Sequence, residues 1–415
     1  MYEKRVLPNG VRLISERIGQ VRTASIGIWI GNGSRYEPAA LGGISHFIEH
    51  MIFKGTEKRS ARHLAIAMDA LGGQFNAFTD KECTCYYMKL LDTRIKTGVS
   101  ILADMFMNSR FAQEDIELER GVVLEEIDMY EDTPDDVAIE KLFERCYAGS
   151  ALGRPILGTP ETLQTINSEA MHAYVSEFYR PHDTVVAISG SFTEDDLDYI
   201  ADLFSAMTGE GHNAPTLARY TPSLVLREKE IEQNHLCLSF PGVPLLSEQR
   251  FQMNLLGSIL GGGMSSRLFQ TVREQNGLCY SIYSFGTSHL DTGLLSVYAG
   301  VGPDSERRAL ELIIRVLRDF CENGPDADEL ARCREQVKTT LLMGLESTGT
   351  RMMSIGKSEL MRGTVDPIET VLAHYDAVTA ADILALARQT FDFTKASLSV
   401  VGQPDTADSY KTLLL

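Results

Sequence analysis

The sequence predicts an α+β fold made of two copies of one domain. Two ungapped self-similarities indicate the duplication: residues 111–127 align with residues 325–341 at an offset of 214, and residues 166–190 align with residues 378–402 at an offset of 212. A repeat of this length is too long for a solenoid unit. In the second pair of segments a helical pattern is followed by an apolar strand that ends in glycine, so each copy combines both element types.

A polar stretch between the two copies predicts the interdomain linker. Glycines and prolines interrupt any helical or strand pattern there, at Gly209, Gly211, Pro215 and Pro222. We therefore expect a first domain over residues 1–208, a linker over residues 209–222 and a second domain over residues 223–415.

Periodicity and turn residues predict the elements of the first copy. Strands are expected over residues 11–15, 24–30, 74–80, 83–90 and 184–190. Helices are expected from about residue 41, over residues 60–71, 92–108 and 113–130, then up to residue 147 and over residues 168–179. An acidic, proline-containing segment at residues 131–136 predicts a break between the two helices on either side of it.

Composition and net charge limit the kinds of partner and the cellular location that are expected for this chain. The chain has 415 residues, 44% hydrophobic and 23% charged, with a net charge of −18. That charge argues against nucleic acid and anionic membranes as partners. It would favour basic peptides, although a solvated acidic surface is the commoner explanation of such a charge. Seven scattered cysteines without a C-x-x-C pair are typical of free thiols in a reducing compartment. The first residues lack an apolar signal region and no run of 18 apolar residues occurs, so a cytoplasmic location is predicted.

The segment His46-Phe47-Ile48-Glu49-His50 predicts a metal site. On a helix His46 and His50 lie one turn apart on one face, so both imidazoles can reach one ion. Glu49 projects beside them and can act on a water there without being a ligand. The surrounding residues are apolar on nearly every side, which indicates a buried helix. The alternative, two satisfied core histidines, is disfavoured because such a pattern is expected by chance only roughly 0.03 times in this composition.

Zinc requires a third protein ligand, for which the helix at residues 113–130 supplies the candidates. These candidates are Glu114, Glu117, Glu119, Glu125 and Glu126. One arc of that helix is expected to be buried and carries Ile116, Glu119, Val122, Val123, Glu126, Ile127 and Tyr130. In the second copy, Cys333 and Thr340 replace Glu119 and Glu126, and the histidines are absent too. Spacing leaves both Glu119 and Glu126 open as the ligand; a pair of buried glutamates held by arginines is the alternative.

The chain resembles a known enzyme family. H-x-x-E-H is the signature of inverzincins, and the resemblance rests on GGISHFIEHMIFKGT, FNAFTDKECTCYY, ERGVVLEEI, LGRPILGT, GGGMSSRLF and REQNGLCY. Together these segments resemble pitrilysin/insulysin-type zinc metallopeptidases. Within them, the chain is most similar to the short two-domain branch that includes the mitochondrial processing peptidase β subunit and its bacterial relatives.

The resemblance implies an architecture and a set of site residues. Each domain would be a mainly antiparallel sheet covered by helices, and the chain would form half of a clam-shell chamber. Glu126 would be the third ligand, after His46 and His50, with Glu119 supporting the site. The remaining implied residues are Asn76, Ala77 and Phe78 for the substrate backbone, Arg273 and Tyr280 from the second domain, and Asp136 and Glu140 for a substrate arginine.

The expected function is a zinc-dependent endopeptidase that cleaves short or unfolded peptides. One Zn²⁺ per chain would activate water, Glu49 would be the general base and Tyr280 would assist at the oxyanion. The expected partners are peptide substrates and a second copy in a homodimer, or a metal-free homologue in a heterodimer. The alternative function is a non-catalytic subunit of a processing-peptidase-like complex.

Overall fold

The computed structural model describes residues 2–414. The strands are β1 Tyr2–Val6, β2 Arg12–Arg17, β3 Thr23–Ile30, β4 Gln74–Thr79, β5 Thr84–Leu91, β6 Thr184–Gly190, β7 Leu224–Glu228, β8 Asn234–Pro241, β9 Cys279–Ser288, β10 Gly293–Val301 and β11 Ser397–Gly402. The helices are α1 Ile44–Met51, α2 Ala61–Leu71, α3 Ile95–Asn108, α4 Gln113–Glu131, α5 Pro134–Cys146, α6 Pro160–Thr165, α7 Ser168–Phe178, α8 Glu194–Phe204, α9 Arg250–Gly261, α10 Glu306–Asn323, α11 Ala327–Gly344, α12 Thr348–Arg362, α13 Ile368–Ala377, α14 Ala380–Thr390 and α15 Ala407–Leu414.

Two sheets carry the fold, one in each of two compact units. The six-stranded sheet of the first unit has the order β1-β2-β6-β3-β5-β4, with only β2 and β6 parallel. The five-stranded sheet of the second has the order β7-β11-β8-β10-β9, with only β7 and β11 parallel. Apart from β1, the two orders correspond strand for strand. The predicted α+β class and the duplication are confirmed.

The units exchange two helices, so they differ from the contiguous domains predicted on either side of residues 209–222. The first unit combines the chain up to Ile127 with Arg154–Thr216 and Leu342–Pro367, and therefore contains α12. The second combines Asp128–Gly153 with Leu217–Leu341 and the chain from Ile368 onward, and therefore contains α5. Each sheet is thus covered by a helix from the other half of the sequence.

Helices cover both faces of the six-stranded sheet. On one face the core includes Phe47 and Ile48 of α1 and Leu102 of α3, all buried. On the other, Met352 and Ile355 of α12 pack with Trp29 of β3. This arrangement leaves β4 at one edge of the sheet, paired only with β5. The His46–His50 segment therefore lies on a helix that is fixed from one side by the sheet.

Within residues 2–414, no single helix is both long and apolar enough to cross a bilayer. By length and composition alone one bent pair passes that test, Ile368–Ala377 with Ala380–Thr390, at an angle of 81°.

Candidate metal centre

Helix α1 places the two motif histidines side by side. It begins after Gly43, which adopts a left-handed conformation at φ 91° that favours glycine. Ile44, Phe47, Ile48 and Met51 are buried, as the apolar pattern predicts. The i, i+4 spacing brings the His46 and His50 rings to a centroid distance of 4.6 Å. Two imidazoles thus share one face of a short buried helix.

Glu126 of α4 completes a group of three potential ligands. Its Oε2 lies 3.6 Å from His46 Nε2 and 3.6 Å from His50 Nε2. One atom from each of the three residues lies within 4.8 Å of the others. A tetrahedral zinc ion with bonds of about 2.0–2.2 Å separates its ligand atoms by roughly 3.4 Å. Two imidazole nitrogens and one carboxylate oxygen at this spacing fit zinc.

Burial keeps His46 neutral. Desolvation, and then the neighbouring His50, lower the pKa of His46 to about 3. A neutral imidazole keeps the lone pair that a metal requires. The histidine is therefore ready to coordinate at neutral pH.

Glu119 holds His50 from the side opposite Glu126. Its Oε1 lies 3.0 Å from His50 Nδ1, and its Oε2 forms an ion pair with Lys54. Burial would raise the pKa of Glu119, but the hydrogen bonds from Lys54 and His50 outweigh it and hold that pKa below its ordinary value. An ionised Glu119 favours the His50 tautomer with the proton on Nδ1, which leaves Nε2 free to bind a metal.

Glu49 lies beside the three potential ligands and accepts a hydrogen bond from the sheet. Its Oε2 accepts a hydrogen bond of 2.6 Å from the hydroxyl of Thr79, the last residue of β4. Burial raises the pKa of Glu49, although the Thr79 bond and His50 oppose the shift. A carboxylate with a raised pKa takes up a proton more readily near neutral pH.

Strand β4 carries the predicted peptide-contacting residues Asn76, Ala77 and Phe78. Its outer edge is not paired within the sheet, so its backbone groups are available to an extended chain. Ala77 packs into the core that includes α1, whereas the ring of Phe78 lies on the other face, 5.6 Å from Trp29. Asn76 is exposed and its Oδ1 accepts a hydrogen bond from the Ala77 amide. Because side chains alternate along a strand, Asn76 shares the face of Phe78, opposite the α1 side. The Phe78 ring packs on Trp29, so Phe78 is expected to serve a peptide at this edge through its backbone.

The other predicted site residues belong to the second unit. Arg273 lies in the last turn of the π-helix Phe269–Glu274, and its guanidinium lies 4.6 Å from the Phe269 ring and 5.0 Å from the Tyr280 ring. Tyr280 is 78% exposed on β9. Asp136 lies exposed in the first turn of α5, with Glu140 one turn later. Burial, and then Asp135, raise the pKa of Asp136.

Three residues at the centre were not predicted from the sequence: Thr79, Lys54 and Glu37. Thr79 and Lys54 lie within the quoted family segments, but nothing in their spacing indicates a bond to Glu49 or Glu119. Glu37 accepts hydrogen bonds from the first amides of α1. Only the folded backbone brings it to that helix.

Comparison with known proteins assigns the family. The profile described as Insulinase (Peptidase family M16) matches residues 12–160, and the Peptidase M16 inactive domain matches residues 165–337. The chain belongs to peptidase family M16. This M16 protein is 40% identical to an uncharacterized zinc protease, YmxG, of Bacillus subtilis, over 97% of this chain and 99% of the relative. It is 34% identical to an uncharacterized zinc protease of Rickettsia bellii, over 95% and 96%.

Solved structures show the same fold. A protease from Helicobacter pylori superimposes with a TM-score of 0.90 at 18% identity, covering 97% of this chain and 99% of that one. A Pseudomonas fluorescens structure described as a peptidase M16 inactive domain gives a TM-score of 0.88 at 18% identity, covering 98% of both chains. The predicted relationship to the pitrilysin/insulysin type is confirmed.

Proposed function

We propose that this M16 protein is a zinc-dependent endopeptidase that cleaves short or unfolded peptides. The observation that carries the proposal is the convergence of His46, His50 and Glu126 beside the partly buried carboxylate of Glu49. The zinc protease names of its relatives support the same reaction class. An N, N, O ligand set with a nearby free carboxylate is typical of hydrolytic zinc sites.

Each residue has a distinct role in the proposed reaction. Zinc, when bound, supplies a Lewis acid that activates water and polarises the scissile carbonyl. Glu49 accepts the proton of the attacking water and passes it to the leaving amine, with Thr79 fixing one of its oxygens. Glu119 keeps the His50 proton on Nδ1. The outer edge of β4 binds the peptide as an added strand.

Substitution of Glu49 tests the proposal. Purified Glu49→Gln should retain about one zinc per chain and lose peptide cleavage by a factor of about 10²–10⁴ or more, because an amide cannot accept the proton. Glu125→Gln, an exposed change on α4, is the matched control and should behave as the wild type. Wild-type turnover by Glu49→Gln would refute the base assignment. A wild-type protein that binds zinc but cleaves no member of a mixed peptide library would favour the alternative of a non-catalytic subunit.

The acidic residues of α5 support a preference for arginine near the cleaved bond. Asp136 and Glu140 are one helical turn apart, so both carboxylates can pair with one guanidinium. Peptides with arginine near the scissile bond should then exceed matched alanine peptides by about 10–100-fold in kcat/KM. The double variant Asp136→Asn with Glu140→Gln should lose that ratio while still cleaving alanine peptides. An unchanged ratio would exclude these two residues from substrate recognition.

We further propose a homodimer, since the family resemblance implies a chamber of four such domains and one chain supplies two. Sedimentation at micromolar concentration should then report about twice the chain mass of 46.0 kDa. A strictly monomeric, active protein would exclude the assembly, and activity that requires a metal-free homologue would indicate a heterodimer. The cytoplasmic location stays a prediction.

A further inference from the structure

The start of helix α1 is held by a residue outside the helix. Glu37 Oε2 accepts a hydrogen bond of 2.7 Å from the Gly43 amide, and Glu37 Oε1 accepts one of 2.8 Å from the Ser45 amide. The carboxylate is only 3% exposed. Both of its oxygens are therefore committed to the first turn of the helix that carries the motif histidines.

No side chain of the helix itself caps these amides. Gly43 occupies the N-cap position and has no side chain to offer. Ile44, Ser45 and His46 are buried, so water cannot replace a missing acceptor at low cost. The helix dipole offsets part of the cost of burying an ionised carboxylate at this helix start. Glu37 is thus the acceptor on which the first turn depends.

Glu37 is anchored in turn by its surroundings. The guanidinium of Arg154 donates a hydrogen bond of 2.5 Å to the Glu37 carbonyl oxygen. At Gly43 an added Cβ would lie 2.6 Å from the Leu157 carbonyl oxygen, so residues near Arg154 also close tightly over the helix start. The carboxylate consequently has a fixed position relative to the backbone that it holds.

The orientations of His46 and His50 depend to different degrees on the hydrogen bonds that Glu37 accepts. His50 is oriented by Glu119, through the 3.0 Å contact at Nδ1. For His46, the buried Nδ1 has no hydrogen-bond partner among residues 2–414. His46 is also the third residue of α1, so loosening of the first turn moves it before it moves His50. The orientation of His46 therefore rests on the backbone that Glu37 fixes.

We propose that Glu37 is a positioning residue of the metal site, which fixes the first turn of α1 so that His46 faces Glu126. The inference rests on the proposed zinc site. It assigns Glu37 an effect on metal affinity without any contact to the metal.

Zinc affinity tests the inference, measured by competition with a chromophoric chelator at a temperature where each variant is folded. Glu37→Gln keeps one acceptor oxygen and should weaken zinc binding about 10-fold, whereas Glu37→Ala keeps none and should weaken it about 100-fold. Glu306→Gln is the matched control: Glu306 is also a buried carboxylate at a helix start, 5% exposed and bonded to Tyr410. It should lower stability and leave zinc affinity unchanged.

Amide hydrogen exchange of the metal-free protein gives a second, independent readout. In Glu37→Gln the amides of Gly43 to His46 should exchange faster than in the wild type, while those late in α1 keep their protection. Wild-type zinc affinity in Glu37→Ala, or unchanged exchange in Glu37→Gln, would overturn the inference. A wild-type protein that binds no zinc would instead refute the proposed function, and the exchange measurement would still decide the role of Glu37.

Discussion

Glu119 and Glu126 lie on the same helix, two turns apart, and have different neighbours. Glu126 faces the Nε2 atoms of both histidines, whereas Glu119 faces Nδ1 of His50 and pairs with Lys54. Helical spacing alone could not separate the two, because both project from the same side of α4. The distinction depends on where α4 lies relative to α1, which only the tertiary structure fixes.

The zinc content of four variants distinguishes a residue that binds the metal from a residue that orients one of its ligands. Glu126→Gln and His50→Ala should lose zinc, because each removes one of three ligands. Glu119→Gln should weaken zinc binding by about 10–100-fold, since it removes only the partner that orients His50. Glu125→Gln, next to Glu126 but exposed, is the control and should bind normally. Zinc retained by Glu126→Gln and lost by Glu125→Gln would reverse the assignment.

The pH dependence of stability reports on Glu37. Burial raises the pKa of Glu37 from 4.5 to about 7, although the Ser45 and Gly43 amides and Arg154 oppose the shift. The folded state therefore binds the proton more tightly than the unfolded state. The resulting stabilisation is present below pH 4.5 and is lost as the pH rises through 7. Burial, and then the charge of Glu37, raise the pKa of Tyr174 well above 10, so the Tyr174 hydroxyl stays neutral throughout that pH range.

The measurement is urea unfolding of the metal-free wild type and Glu37→Gln between pH 4.5 and 8. The free energy of unfolding of the wild type, less that of the variant, should fall by about 3 kcal/mol across this range. Other titrating groups, including His46, contribute equally to the free energy of unfolding of both proteins. Their contributions therefore cancel in the difference. A difference that stays constant with pH would show that Glu37 titrates normally.

At the scale of elements, α12 packs closely against β3. A Cβ at Gly356 would lie 2.2 Å from Trp29 Nε1, whereas a Cβ at Gly349 of the same helix would lie 3.5 Å from its nearest neighbour, Ser347 Oγ. An ion pair joins the same helix to β2, where Arg351 lies 2.6 Å from Glu16. The helix therefore leaves no room for a methyl group at Gly356, whereas a methyl group can be accommodated at Gly349.

Two alanine substitutions in α12 should have different effects on stability. Gly356→Ala should lower the free energy of unfolding by about 1–3 kcal/mol, because the methyl group must displace the Trp29 ring. Gly349→Ala should be neutral or raise it by about 0.5–1 kcal/mol through helix propensity. Urea unfolding of both variants provides the comparison. Equal effects would mean that α12 does not pack on Trp29 as described.

Helix α4 shows which part of side-chain burial an amphipathic sequence pattern can predict. The predicted buried arc is right for Ile116, Glu119 and Val123, which are buried. It is wrong for Val122 and Tyr130, which are 50% and 40% exposed. Periodicity gives the direction in which a side chain points, but not whether another element covers that part of the helix. The break predicted near Pro134 is confirmed, since α4 ends at Glu131 and α5 begins at Pro134.

For the whole molecule, internal similarity predicts the duplication but not the exchange of helices. The aligned segments correspond to α4 with α11, and to α7 and β6 with α14 and β11. Similarity between the copies shows that each half has the same elements in the same order. It cannot show whether α5 and α12 cover the sheet of their own half or that of the other. That choice depends on long-range packing, such as Gly356 against Trp29.

The exchange predicts how a divided chain behaves. Residues 1–216 and residues 217–415, expressed separately, should each be unfolded or aggregated, because each sheet lacks the helix that covers one of its faces. Mixed during refolding, the two pieces should recover the circular dichroism and zinc content of the intact protein. The same chain cleaved only after folding is the control and should stay assembled. Independent folding of either half would contradict the exchange.

The exchanged helices also bear on the history of the chain. Shifting α5 by the repeat offset of 214 brings it onto α12, so the exchanged helices occupy equivalent places in the two copies. A reciprocal exchange between equivalent parts is the geometry of a domain-swapped dimer of identical subunits. Fusion of two such genes end to end would give this connectivity without rebuilding any contact. In such a fused chain the proposed metal site would need its histidines and glutamates in one copy only, in keeping with Cys333 and Thr340 at the positions equivalent to Glu119 and Glu126.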